Sequence, residues 1–145
     1  MQTLEILSAL SNIATAIGVG VAAYQLRITR KQGITAFEDS LTGQYRQIVS
    51  TLPLKALLGE SLSDKEHHEH LQYFYRYIDL CNEQVFLHKS RRVSDKTWKF
   101  WEEGIHTNLC RPAFAKAWQE IASRARDDFD ELRLLCPPKP TSTTD

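Results

Sequence analysis

Three groups of residues in this 145-residue chain have types and spacings that chemistry could use. The first is the run Glu66-His67-His68-Glu69-His70. His67 and His70 stand three apart, which sets two imidazoles on one face of a helix, as a pair of metal ligands requires. A zinc site needs a third protein ligand, and the pattern of two histidines four apart around a glutamate is missing. The run also opens a helix, where acids complement the helix dipole and side chains usually face water. The expectation is a solvated helix start without a metal.

The second group is Asp79, Asn82 and Glu83. Asp79 and Glu83 share a helix face at i, i+4, with Arg76 one turn earlier. Asn82 and Glu83 border an apolar stripe, where an unpaired carboxylate is costly. Two carboxylates make an acid–base pair only with the right geometry, so the preferred reading is a structural ion pair from Glu83 to Arg111 or Arg46. The third group is residues 89–99, five bases and one acid, with Trp98 and Trp101 beside them. Basic side chains among aromatics can grip single-stranded nucleic acid or anionic lipid heads. The plainer reading is a solvated basic turn whose tryptophans, at i and i+3, face the core. Nucleic acid is therefore not the expected partner.

His88 and His106 stand alone and read as structural. No serine or cysteine nucleophile motif occurs, and six glycines, two of them Gly18 and Gly20, build no phosphate loop. The sequence thus points to no catalytic residue, no cofactor and no metal, and to a protein that is not an enzyme. Eighteen basic residues balance eighteen acidic ones, so total charge favours no polyanionic partner. Three scattered cysteines (Cys81, Cys110, Cys136) are too few for a disulfide scaffold and suit a reducing compartment.

The elements that must carry these residues read as helices. Ile34, Phe37, Leu41, Tyr45, Ile48 and Leu52 form one stripe, which Pro53 ends. Residues 53–62 read as a short helical turn closed by Gly59. Ser63 with Glu66 is a capping box opening a long helix over residues 64–89, with its stripe at Leu71, Phe74, Tyr75, Ile78, Cys81 and Val85. Ser94 caps a helix bearing Trp98, Trp101, Ile105 and Leu109. Pro112 suits the first position of the last helix, striped by Phe114, Trp118, Ile121, Ala125, Phe129, Leu132 and Leu135. No segment alternates at period two for long. The fold class is all-α: a bundle of about four helices over residues 33–136, followed by a disordered, proline-rich tail over 137–145.

Ahead of the bundle lies a different kind of segment. Residues 6–26 are 21 consecutive residues without a charge. As a helix the run would be about 31 Å long, close to the ~30 Å hydrocarbon core of a bilayer. Eight of its residues are Ile, Leu or Val, together favouring insertion by roughly 2 to 5 kcal/mol. Arg27, Arg30 and Lys31 follow at once, whereas Glu5 is the sole charged side chain before the run. This asymmetry predicts a single-pass transmembrane anchor over residues 1–32 in the cell inner membrane, with the C-terminal domain in the cytoplasm. Tyr24 sits at the end where an interfacial ring belongs. The competing reading is a buried first helix of a soluble bundle, since small residues, Asn12 and the other polar side chains are at home there too.

Within the run, Ala9, Ala16, Gly20 and Ala23 fall on one face beside Asn12. Small residues let helix backbones approach closely, and an asparagine in mid-membrane is better satisfied by a partner helix than by lipid. Helix–helix packing through Asn12, Ala16 and Gly20 is expected, and with it homo-oligomerisation.

The stretches SNIATAIGV and AAYQLRITRKQ, then YRQIVSTLPLKALLGESL, the block from Tyr73 to Ile105, and RPAFAKAWQE together resemble a bacterial family of short membrane proteins of uncharacterised function. That family has one N-terminal span and a cytosolic helical domain. The resemblance implies an acidic residue in a helix, a short basic turn and tryptophans, here Glu83, Arg91 with Arg92, and Trp98 with Trp101. These are the residues through which an unidentified protein partner would be met; the resemblance implies no catalytic residue. The leading expectation is a membrane-anchored interaction and oligomerisation module. Two alternatives stand beside it: a small oligomeric pore or effector in bacterial stress or phage defence, and a soluble helical nucleic-acid binder.

Overall fold

The computed structural model describes residues 2–139, with side chains from residue 15 onward. Six helices account for the regular structure among the described residues: α1 (Gln2–Thr51), α2 (Leu54–Leu57), α3 (Asp64–Lys89), α4 (Asp95–Leu109), α5 (Pro112–Arg124) and α6 (Asp130–Leu135). The chain divides into two compact units, Met1–Phe37 and Glu38–Asp145.

In the first unit, the described part of α1 carries its apolar residues in the open. Ile17, Val19 and Leu26 are 63%, 65% and 71% exposed, and Val21 and Tyr24 are exposed as well. Ala16 and Gly20 are also exposed, and a Cβ added at Gly20 would meet nothing within 4 Å. Asn12 and the first half of the uncharged run lie outside the residues whose side chains are described. Among the described residues no helix is long and apolar enough to cross a membrane.

In the second unit, α3 is the central element and packs against α4, α5 and α6. Its N-terminus is fixed by the expected capping box: Ser63 Oγ accepts from the Glu66 N–H, and the Glu66 carboxylate accepts from the Ser63 N–H at 2.9 Å. Phe74 and Tyr77 meet Phe114 edge-on, with ring centroids 5.0 and 5.1 Å apart. Leu41 in α1 and Leu52 just after its end are buried, as their stripe predicts. Gly59 closes the turn after α2 with φ +84°, a conformation that costs glycine nothing.

Two expectations about the bundle are corrected. The α3 stripe was expected to bury Tyr75, but Tyr75 is exposed and Tyr77 is buried. A single stripe suits a helix covered on one side, whereas α3 is covered by three neighbours. The last helix is not continuous: α5 stops at Arg124, and Phe129 adopts a left-handed φ of 64° before α6. That turn sends the buried Phe129 ring against Trp118 and Tyr75. The carbonyls left open at the end of α5 are met by Arg133, which donates to the Ala122 and Ala125 oxygens at 2.8 and 2.6 Å. Of the expected tail, residues 140–145 lie outside the described residues.

Candidate functional site

The site begins with the register of two helices. A short turn joins α3 to α4, so the pair runs antiparallel and residues face each other in a mirrored count. Tyr77 on α3 meets Asn108 on α4, whose Nδ2 donates to the tyrosine oxygen at 2.9 Å. Seven residues further along α3 is Gln84, and seven residues back along α4 is Trp101. The second pair therefore lies about 10 Å from the first, at 1.5 Å of rise per residue. The end of α1 brings Tyr45 alongside Tyr77, ring centroids 6.3 Å apart, and with it Arg46.

These residues, with Arg111 at the start of α5, line a cavity of about 520 Å³. One end is cationic and strongly hydrogen-bonded. Arg111 Nη1 donates to Asn108 Oδ1 at 2.7 Å, which completes a chain from guanidinium to amide to the Tyr77 phenol. Burial pushes the Tyr77 phenol above its ordinary range, so it stays protonated. Arg46 is exposed and forms no ion pair among the described residues. The other end holds Gln84, only 4% exposed, whose amide has no hydrogen-bond partner among the described residues. Glu103 is the sole acid along the wall.

The neighbouring helix start is pinned by a residue that the sequence reading did not single out. Glu38 accepts from the Ser94 N–H and from the Thr97 hydroxyl, each at 2.7 Å. Burial alone would raise its carboxyl, but these hydrogen bonds hold it below its ordinary value. The acid sits on the N-terminus of α4, where the dipole favours negative charge.

The residues expected to do chemistry are scattered. Glu83 is exposed and pairs with neither Arg46 nor Arg111, so the expected ion pair is corrected. Asn82 instead accepts from the Leu132 N–H at 3.0 Å and ties α6 to α3. Arg91, Arg92 and Glu83 lie on the surface, whereas Trp98 and Trp101 are buried. The His88 ring stacks on Trp98 at 4.5 Å, and His106 Nδ1 lies 3.3 Å from Cys136 Sγ.

The histidine run is also corrected, because His67 is buried rather than solvated. Its Nε2 donates to Glu120 at 2.6 Å, and that contact holds the Glu120 carboxyl below its ordinary range. His70 turns elsewhere, to the Glu66 carbonyl oxygen at 2.8 Å. No group of three potential ligands that could hold a metal occurs among the described residues.

The described residues thus form an all-helical protein whose bundle carries a cavity with a cationic, hydrogen-bonded end. No family model, curated protein or solved structure matches this chain.

Proposed function

We propose that the protein is a membrane-anchored helical module, held by its first helix and presenting its bundle on the cytoplasmic side to bind a partner. The observation that carries this reading is the exposure of Ile17, Val19, Val21 and Leu26 on a segment continuous with the uncharged run. Each such side chain gives up about 1.5–3 kcal/mol by staying in water, so the four together forgo about 6–12. That sum rivals the whole stability of a domain, about 5–15 kcal/mol, and another apolar phase would recover it. A bilayer fits the length of the run, and the basic flank at Arg27, Arg30 and Lys31 fits its cytoplasmic face.

Self-association belongs to the same reading. Ala16 and Gly20 are uncovered, which leaves room for a second backbone to approach closely. Replacing Asn12 and Gly20 with leucine is expected to abolish self-association in a membrane reporter; an unchanged signal contradicts it. The anchor is tested by fractionating cells that express the chain with and without residues 1–32. The full chain is expected in the membrane pool and the shortened one in the supernatant. A full chain that stays in the supernatant without detergent overturns the proposal.

A further inference from the structure

The cavity between α1, α3 and α4 has two unlike ends, and their separation is informative. Arg46 and Arg111 are the cations at one end, Arg111 held by the Asn108 amide with the Tyr77 phenol behind it. Guanidinium forks match the oxygens of phosphate and carboxylate better than any other side chain. About 10 Å along α3, at 1.5 Å per residue, lie the Gln84 amide and Trp101. An amide offers one acceptor and two donors in a plane, the complement of the hydrogen-bonding edge of a heterocycle. An indole beside it suits a flat ring.

We infer that the cavity binds a mononucleotide, with its phosphate at Arg46 and Arg111 and its base at Gln84 and Trp101. The volume of about 520 Å³ lies within the usual range for small-molecule sites. Glu103, on the same wall, supplies the acceptor that ribose hydroxyls need. Gln84 carries the argument furthest: it lines the cavity, and its amide has no hydrogen-bond partner among the described residues. Its donors and acceptor are therefore open to a ligand inside the cavity. The inference does not rest on the membrane anchor, since every residue in it belongs to the second unit.

The test is calorimetric titration of the full chain, in detergent micelles, with AMP, GMP, CMP and UMP separately and with inorganic phosphate. At least one nucleotide is expected to saturate a single site, and phosphate alone to bind at least about tenfold more weakly, a difference of about 1.4 kcal/mol. Arg46→Gln, at an exposed position, is expected to weaken the nucleotide about tenfold or more. Gln84→Leu is expected to shrink the differences among the four bases. The inference is overturned if no nucleotide saturates at millimolar concentration. Phosphate binding as tightly as the best nucleotide, or an affinity untouched by Arg46→Gln, overturns it equally.

Discussion

The two units use the same apolar residue types to opposite ends. In the bundle, Phe74 and Tyr77 close on Phe114, and Leu132 is fully buried in the same core. In the first unit, Ile17, Val19, Val21 and Leu26 lie exposed along one helix. The difference is one of periodicity and charge rather than of hydrophobic content. In α4 and α5 the apolar stripes alternate with charged faces, which commits each helix to a core on one side and water on the other. The run at residues 6–26 has no charged face to give to water. A stripe specifies a neighbour within the chain, whereas an apolar helix without a polar face specifies an environment.

The largest effect should come from breaking the bundle. Phe114→Ala is expected to cost about 3–5 kcal/mol, because two aromatic neighbours cannot collapse into the space left behind. Val21→Ser, in the exposed stretch, should shift the same transition by less than about 0.5 kcal/mol. Tryptophan fluorescence of the full chain in detergent reads both, since all three tryptophans lie in the bundle. Equal costs at the two positions would erase the contrast between the units. Next in size is Glu38→Ala, which strips the start of α4 of two hydrogen bonds and should cost about 1–2 kcal/mol.

Acid should act on the bundle through the same kind of contact. Glu66, hydrogen-bonded by Lys55 and Ser63, is held down at about 2, and Glu120, hydrogen-bonded by His67, lies below its ordinary 4.5, as does Glu38. A carboxyl depressed in the folded state binds fewer protons there than in the unfolded chain. Its contribution is therefore complete above pH 4.5 and lost as the pH falls through the folded-state value, about 2 for Glu66. Thermal midpoints measured across that window should decline, with a shallower decline for Glu120→Gln. The smallest effect is kinetic. A maleimide should label the exposed Cys110 first and Cys136 more slowly, its thiol pushed up to about 11 by burial. Cys81, buried and pushed up to about 12, should react only on unfolding.

Much of the bundle was legible because its signals are local. The Ser63–Glu66 box, the Ser94 cap and Pro112 each mark a helix start within a few residues, and the structure begins α3, α4 and α5 there. The break before α6 was not legible, since Ala125, Phe129 and Leu132 keep helical spacing across it. What ends α5 is Arg133 folding back onto its carbonyls, a contact that spacing does not reveal. The cavity was hidden for a similar reason. Gln84 and Asn108 look like surface residues, yet each stands at i+3 on a stripe, after Cys81 and Ile105, and i+7 after Tyr77 and Trp101. Polar residues in register with two buried ones were the available signal. His67 was misread because its partner, Glu120, lies 53 residues away.

The most direct test of the account places charge where water would welcome it and lipid would not. Ile17 and Val19 are exposed, so replacing both with arginine leaves a water-facing helix undisturbed. In a bilayer each arginine costs about 2.5–3.5 kcal/mol, a total of about 5–7 that outweighs the roughly 2–5 favouring insertion. After an alkaline carbonate wash, the unmodified chain is predicted in the membrane pellet and the Ile17→Arg, Val19→Arg chain in the supernatant. Identical partitioning of the two chains would contradict the account.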